Sequence, residues 1–185
     1  MDVRVERTRR ALQEALFELA RERPLDEVTV ADIAARAGVN RSTFYQHYSD
    51  KETLLADALD ATAEAAGAAL PELVEPPYEP PQALFAFLEH LEENADLYRR
   101  VFGSPGSAVV TARLRRRIET IVGDGVVKSG TRAFEGLPID VVAAGIAGSA
   151  LGVIEAWLAR DPRPSAATAA VWVWRVLLGP GGAWE

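Results

Sequence analysis

The chain has 185 residues, of which 49% are hydrophobic and 25% are charged, and this balance excludes a disordered or fibrous protein. Its net charge of -7 argues against a surface that binds nucleic acid throughout, because phosphate binding needs positive charge. The absence of cysteine excludes disulfides, thiolate metal sites and thiol catalysis.

The first predicted elements are two helices and a turn. Apolar residues recur at helical spacing over 12–19, with charged residues on the opposite side. Thr29 and Asp32 have the spacing of a capping box, which predicts a short helix over 30–37. Gly38 follows its last apolar position, where glycine adopts the left-handed conformation without steric cost. A sharp turn is therefore predicted at this residue.

A second short helix is predicted directly after the turn. Asn40 is a favourable N-cap residue. Phe44 and Tyr48 lie four residues apart on one face and are predicted to point into the core. Two short helices joined by a tight turn form a helix-turn-helix, whose second helix enters the DNA major groove.

The pattern of residues in the rest of the sequence indicates only helices. Ser49 and Glu52 repeat the capping-box spacing and open a long helix over about 50–70. Five prolines over 71–81 predict a loop, and Ser165 is expected to open the last helix. Further helices are predicted at about 82–92, 95–102, 107–128, 139–159 and 165–178. No alternating run suggests a sheet, so the predicted fold is all-α with about nine helices.

The second short helix carries side chains suited to DNA. Its outward positions combine guanidinium, hydroxyl, amide and aromatic groups on consecutive turns, which base edges and phosphates need. These residues are Arg41, Ser42, Thr43, Tyr45, Gln46 and His47. Geometry alone does not distinguish a DNA-binding helix pair from an ordinary part of a helical core, because short helix pairs occur in many proteins. The polar outward face favours a nucleic-acid partner.

The stretch TVADIAARAGVNRSTFYQHYSDKETLL, residues 29–55, resembles the DNA-binding domain of the TetR/AcrR family of bacterial transcriptional regulators. Its glycine, its TFY-x-HY run and the following DKE-x-L fall at the spacing of that family. The resemblance covers about residues 8–58, and beyond them only the pattern of helices is similar. It implies a helix-turn-helix domain over 1–50 and an effector-binding and dimerisation domain over 51–185.

The resemblance also implies roles for individual residues. The positions that resemble base-facing and flanking contacts are Arg41, Ser42, Thr43, Tyr45 and Gln46. His47 and Lys51 resemble phosphate anchors, and Lys51 begins a helix whose dipole favours an anion. Thr29 is expected to add a phosphate contact. The alternatives are a local hydrogen bond for His47 and simple solvation for Lys51.

Family members bind near-palindromic operators as dimers, so a dimer interface is expected in the chain. A stripe of small residues on the helix at 139–159 allows close approach of another helix. This stripe consists of Ala144, Gly148 and Gly152. The last helix contributes the bulky side chains of Trp172, Trp174 and Val176. The alternative is that both helices only fill the core of one chain.

The middle helices resemble the effector-binding part of the family, where an apolar cavity holds a small molecule. The candidate lining residues are Phe85, Leu88, Leu91, Tyr98, Phe102, Ile121, Val142, Ile146, Ser149 and Val153. Plain core packing is the alternative for each of them. Glu155 interrupts an apolar helix and is expected to pair with Arg175, to lie exposed, or to bind a cationic ligand.

The negative charge is unevenly distributed. Residues 1–51 contain nine basic and nine acidic side chains, so the rest of the chain carries the whole net charge of -7. DNA contact is therefore expected only in the N-terminal part, and it should be salt-sensitive. The charged N-terminus lacks a secretory signal, and the apolar run 141–154 is shorter than the ~20 residues of a membrane helix. This run is expected to be a buried helix of a cytoplasmic protein that does not contact membranes.

An enzyme is not predicted. His47 and His90 lie far apart in the sequence, and no nucleophile motif, phosphate loop or metal-ligand spacing appears. The glutamates near His90 are expected to form a solvated helix face, and no metal or cofactor is predicted. The predicted function is a dimeric repressor that a small apolar effector releases from its DNA operator. The alternative is a co-activator that docks a partner protein and has no small-molecule pocket.

Overall fold

The computed structural model describes residues 3–68, 79–102, 108–130, 132 and 134–178, except for the side chains of residues 109, 129 and 178. Within these ranges the chain forms nine α-helices, a 3-10 turn over Leu25–Glu27 and no strand. The helices are α1 (Val3–Glu22), α2 (Val30–Arg36), α3 (Arg41–His47), α4 (Lys51–Ala68), α5 (Gln82–Glu93), α6 (Ala95–Phe102), α7 (Ala108–Ser129), α8 (Ile139–Leu158) and α9 (Ala166–Leu178). The predicted all-α class is confirmed.

Local side-chain chemistry places α2 and α3. The Thr29 amide donates to Asp32 Oδ2 at 2.9 Å, and the Asp32 amide donates to Thr29 Oγ1 at 3.2 Å, which closes the predicted capping box. Gly38 has a φ of +68°, in the left-handed region. Asn40 Oδ1 accepts from the Thr43 amide at 2.7 Å and caps α3. These three predictions are confirmed.

The predicted cap of α4 is wrong. Asp50 Oδ1 accepts the Thr53 amide at 2.7 Å and the Thr53 hydroxyl at 2.8 Å, so Asp50 caps the helix. The Ser49 hydroxyl donates to Asp50 Oδ2 at 2.8 Å instead of forming a capping box of its own. An ionised carboxylate is the stronger acceptor for a helix-start amide. The predicted end of α4 and most of the proline-rich loop lie outside the described residues.

One continuous core joins the N-terminal helices to the rest of the bundle. It includes the fully buried side chains of Leu16, Phe44, Leu59, Leu88 and Trp157. Helix α4 packs against α1 on one side and against α5 and α7 on another, and α8 packs between α7 and α9. Helix α4 therefore connects the helix-turn-helix to the C-terminal helices.

A polar cluster is buried where α1 meets α5 and α6. The Phe17 ring lies edge-on to the His90 ring with 5.0 Å between the centroids, and His90 Nε2 lies 3.1 Å from the Tyr98 hydroxyl. Asn94, which is buried, donates to the His90 carbonyl at 2.8 Å and accepts from Arg21 Nε at 3.0 Å. Burial lowers the pKa of His90 below its ordinary value, so its ring is neutral at pH 7.

Helix α8 matches the helix predicted at 139–159 but is only partly buried within one chain. It spans 20 residues with a mean hydropathy of 1.8, so its length and composition match those of a membrane-crossing helix, although core helices of water-soluble proteins meet the same criterion. Only 39% of its apolar window is buried within the chain, so the predicted burial holds for only part of the helix within one chain. Its exposed apolar side chains include Ile139 and Val141.

Gly38→Ala is expected to lower the free energy of unfolding by about 1 kcal/mol, because alanine adopts a positive φ only under strain. An added Cβ meets no atom within 4 Å, so the cost comes from the backbone alone. Gly125→Ala in α7 is the matched control, since its Cβ also meets no atom within 4 Å. The control should gain about 0.5–1 kcal/mol of helix stability. Urea denaturation that shows equal stability for the two variants would contradict the left-handed turn.

Candidate nucleic-acid interface

Helix α3 buries one face and exposes the other. Phe44 and Tyr48 are buried, which confirms their predicted place in the core, whereas the Tyr45 side chain is 51% exposed. The Tyr45 ring lies edge-on to the Phe44 ring with 5.4 Å between the centroids. This contact with a buried ring limits the positions of Tyr45 and leaves its outer edge accessible.

The structure brings the predicted contact residues of α3 onto one surface. Arg41, Ser42, Tyr45 and Gln46 are exposed, and Thr43 and His47 are half-buried. The hydroxyls of Ser42 and Thr43 donate to Asn40 Oδ1 at 2.6 and 2.9 Å. Their oxygens keep lone pairs that accept hydrogen bonds, whereas the Arg41 guanidinium donates them. The surface therefore combines donors and acceptors of the kinds that base edges require.

A groove of about 630 Å³ separates α3 from the first turns of α1. Its lining residues are Arg4, Val5, Thr8, Gly38, Val39, Asn40, Thr43, Gln46 and His47. The sequence prediction omitted Arg4 and Thr8, because only the fold brings them beside α3. The signal that was available is the cluster of arginines at the start of α1.

Two predicted phosphate anchors have partners inside the chain. Lys51 Nζ donates to the carbonyl oxygens of Leu25 and Val28 at 2.5 and 2.7 Å, which ties the 3-10 turn to the start of α4. Burial lowers the pKa of Lys51. The Thr29 hydroxyl donates to Asp32 Oδ2 at 2.7 Å while it caps α2. An ammonium group has three protons, so the phosphate contact of Lys51 remains a prediction.

Asp57 of α4 bonds to α1 and to Tyr48, the residue that directly follows α3. Its Oδ2 accepts the Tyr48 hydroxyl at 2.6 Å and Gln13 Nε2 at 2.8 Å, and its Oδ1 accepts Arg9 Nη2 at 2.6 Å. Burial alone would raise the pKa of Asp57, but the hydrogen bonds from Tyr48 and Arg9 hold it below its ordinary value. Burial and the bond to Asp57 raise the pKa of Tyr48 to about 12. The cluster fixes the end of α3 to α1 and α4.

The predicted dimer residues divide between surface and core. Ala144 and Gly152 are exposed on α8, and Val176 is 51% exposed on α9. Trp174 is only 8% exposed, so it packs in the core of the chain rather than on its surface. The physical reason is that α5 and α8 both cover α9. Trp172 is half-buried, with the Arg160 guanidinium 5.1 Å from its ring centroid.

The remaining small residue of the stripe faces another helix. A Cβ added at Gly148 would lie 3.6 Å from Arg115 Nη1, so the α7 side chain passes over this position. Gly148 is accordingly half-buried within the single chain. Of the predicted stripe, Ala144 and Gly152 are the positions that remain open on the surface.

The predicted cavity residues differ in their exposure. Leu88, Leu91 and Tyr98 are fully buried in the core, whereas Ser149 is exposed and its hydroxyl donates to the Gly145 carbonyl at 2.9 Å. The half-buried residues that pack against the core are Phe85, Phe102, Ile121 and Val153. Ile146 and Glu155 are also half-buried, both on α8. Ser149 therefore lies on the exposed side of α8, and its contact with an effector remains a prediction.

A cavity of about 310 Å³ lies at the corner between α7 and α8. It is lined by Val126, Val127, Gly130, Arg132, Phe134, Glu135, Leu137, Ile139 and Val142. Of the predicted pocket residues, Val142 is the one that it includes. The sequence did not indicate this cavity, because the turn between the two helices brings its walls together.

Lys51→Met is expected to lower the free energy of unfolding by about 1–3 kcal/mol, because two carbonyl oxygens lose a charged donor. Lys128→Met, at an exposed position near the end of α7, is the control and should leave stability nearly unchanged. Chemical denaturation of both variants provides the measurement. Equal stability of the two would show that the carbonyl contacts of Lys51 contribute nothing.

Sequence similarity to known proteins lies in the helix-turn-helix segment. Residues 12–58 match the family model described as "Bacterial regulatory proteins, tetR family". The uncharacterized HTH-type transcriptional regulator YxbF of Bacillus subtilis is 45% identical over 56 residues, which is 30% of this chain. The match covers only 15% of the length of YxbF. The similarity in sequence is thus concentrated at the N-terminus.

Solved structures are similar over nearly the whole chain. Thermus thermophilus FadR, a TetR-family transcriptional repressor in complex with lauroyl-CoA, is 20% identical with a TM-score of 0.61, over 96% of each chain. The dihydroxyacetone kinase operon activator DhaS is 17% identical with a TM-score of 0.65, over 92% of this chain and 94% of the other. At these identities the likeness shows the fold. The family model identifies residues 12–58 as a helix-turn-helix domain of the TetR family of bacterial regulatory proteins, and the rest of the chain has the fold of these solved structures.

Proposed function

We propose that this TetR-family chain is a dimeric DNA-binding regulator of the bacterial cytoplasm, with a DNA-reading domain over 1–50 and an effector and dimer domain over 51–185. The observation that carries the proposal is the outward face of α3. Its buried residue Phe44 and the adjoining Tyr48 fix the helix, while the guanidinium, hydroxyl, phenol and amide groups on the other side are left for a polar partner. The major groove of DNA provides such a partner.

The proposed contacts divide by chemistry. Base edges are read by Arg41, Ser42, Thr43, Tyr45 and Gln46. The phosphates are held by His47, with smaller contributions from Lys51 and Thr29, whose polar groups also bond within the chain. Arg4 lines the same groove as His47 and adds positive charge beside it.

The proposed dimer forms through α8 and α9. Helix α8 is strongly apolar, but only 39% of its apolar window is buried within one chain, and such a face favours association. The small residues Ala144 and Gly152 permit close approach of a partner helix, and Val176 adds apolar area on α9. A two-fold dimer presents two copies of α3 to a near-palindromic operator.

The proposed mode of regulation is repression of transcription, which a small apolar effector relieves. FadR, whose fold is similar over the whole chain, is a repressor in complex with lauroyl-CoA, and this likeness supports an apolar effector for the present chain. The half-buried phenylalanines Phe85 and Phe102 pack at the edge of the core rather than within it. An effector that separates the middle helices would change the spacing of the two α3 helices.

A second function is favoured by a specific observation. Leu88, Leu91 and Tyr98, predicted to line the effector cavity, are fully buried in packed core. A regulator that docks a partner protein needs no such cavity, and DhaS, an operon activator, has a similar fold. A thermal-shift screen with apolar ligands separates the two, because only the effector-binding regulator gains stability from a specific ligand.

Selection of random duplex DNA on the wild-type protein, followed by sequencing, is expected to enrich a near-palindrome. Tyr45→Ala should weaken binding to that sequence by about 10–100-fold, because a major-groove contact contributes roughly 1–3 kcal/mol of discrimination. The exposed Tyr45 ring makes only an edge contact with Phe44, so the variant should fold and dimerise normally. Undiminished operator binding by Tyr45→Ala would refute the assignment of α3 as the reading helix.

Ala144→Glu is expected to disrupt the dimer, because it places a charge on the exposed apolar side of α8. The matched control is Ala65→Glu on α4, which is also an exposed helical alanine. Analytical ultracentrifugation should find monomers for Ala144→Glu and dimers for Ala65→Glu at the same concentration. Dimers in both samples would place the interface elsewhere.

A further inference from the structure

We propose that Asp57 is a positioning residue for DNA reading. We further propose that Arg113 of α7 couples a shift of the C-terminal helices to Asp57. The inference rests on the proposed DNA-binding function. The relevant side chains lie behind α3 and are not among the proposed DNA contacts. Asp57 therefore acts on sequence reading through the placement of α3.

The first step of the argument is the connection between Asp57 and α3. Tyr48 directly follows the helix, and its amide donates to the Phe44 carbonyl at 2.9 Å. The Tyr48 hydroxyl, at the other end of the same residue, donates to Asp57 at 2.6 Å. Because the Tyr48 side chain is buried, a displacement of the carboxylate is transferred to the end of α3.

The second step is that two guanidinium groups approach the same carboxylate oxygen. Asp57 Oδ1 lies 2.6 Å from Arg9 Nη2 of α1 and 3.7 Å from Arg113 Nη2 of α7. The carboxylate side chain is only 15% exposed, so water screens these charges incompletely. The two arginines belong to the N-terminal and C-terminal parts of the chain, so their competition for Asp57 couples the two parts.

The third step is that Arg113 has a second carboxylate within reach. Arg113 Nε donates to Asp60 Oδ2 at 2.6 Å, one turn further along α4. Asp60 Oδ1 is buried and has no hydrogen-bond partner in the described part of the chain. A small rotation of Arg113 would give Asp60 two bonds, whereas a small shift of α7 towards Asp57 would put Arg113 in the place of Arg9.

The arrangement defines two positions of α7. With Arg113 held by Asp60, Arg9 and Tyr48 retain Asp57, and α3 is fixed for reading. With Arg113 moved onto Asp57 Oδ1, Arg9 is displaced, and its Nε loses its contact with the Tyr48 hydroxyl at 3.4 Å. The hold on Tyr48 then weakens, and so does the hold on α3. Helix α7 also packs along α8, where the proposed dimer forms, so dimer geometry and the placement of α3 meet at Arg113.

Arg113→Gln is expected to bind the selected operator at least about threefold more tightly than the wild type, because the competitor of Arg9 is removed. Arg117→Gln is the matched control: Arg117 also lies on α7 and pairs with Glu64 of α4 at 2.6 Å. The control loses a comparable ion pair and should leave operator affinity unchanged. In a Tyr48→Phe background, Arg113→Gln should lose most of its effect, as a double-mutant cycle measures.

Asp57→Asn and the milder Tyr48→Phe are expected to weaken operator binding while binding to random duplex DNA stays within about twofold, since phosphate contacts dominate the latter. A purely structural defect would instead weaken both kinds of binding together. Amide hydrogen exchange in the free proteins should be faster over α3 in both variants and unchanged over α2.

Three results would overturn the inference: equal operator affinities of Arg113→Gln and Arg117→Gln, weaker operator binding by Arg113→Gln, or unchanged exchange over α3 in both Asp57→Asn and Tyr48→Phe. Failure of the proposed function looks different, because the wild-type protein would then enrich no sequence. Faster exchange over α3 in the two variants would still establish Asp57 as the residue that positions this helix.

Discussion

The proposed reading surface depends on how α3 is held from behind. A helix of seven residues is unstable alone, because isolated helices shorter than ~12–15 residues are marginal in water. Burial of Phe44 contributes roughly 1.5–3 kcal/mol, but a hydrophobic contact has little directional preference. The hydrogen bond from Tyr48 to Asp57 is directional and is sheltered from water. Apolar burial therefore stabilises α3, and this polar contact fixes its orientation.

The local arrangement of charge explains how an acidic chain can present a DNA-binding face. Several N-terminal arginines are neutralised away from α3: Arg36 pairs with Glu18 and Glu22, and Arg23 pairs with Asp32. These pairs join α2 to neighbouring elements, and the two arginines with their three carboxylates carry a net charge of -1. Screening by dissolved ions limits the range over which exposed charges interact to about 8 Å at physiological salt. The acidic C-terminal helices therefore oppose DNA binding weakly at the surface of α3.

The sequence predicted the features that depend on neighbouring residues. Gly38 and the caps at Thr29 and Asn40 were found because a short segment contains all the atoms involved. The cap of α4 was misplaced by one residue, since serine and aspartate are both good cap residues and only geometry decides between them. The spacing shared with the family predicted which residues of α3 point outward, but it did not predict the contacts that hold the helix in place.

Features formed by distant residues were not predictable in this way. The two carbonyl partners of Lys51 precede it by more than 20 residues, and Asp57 gathers donors from α1 and the end of α3. Trp174 was predicted to lie in the dimer interface because its helix is apolar on most sides, and periodicity does not show which side the helices of the same chain cover. The cavity at the α7–α8 corner depends on a turn between helices for the same reason. Such contacts also connect α8 to α3 through α7 and α4, so a change in how α8 packs can reach the reading helix without unfolding any element.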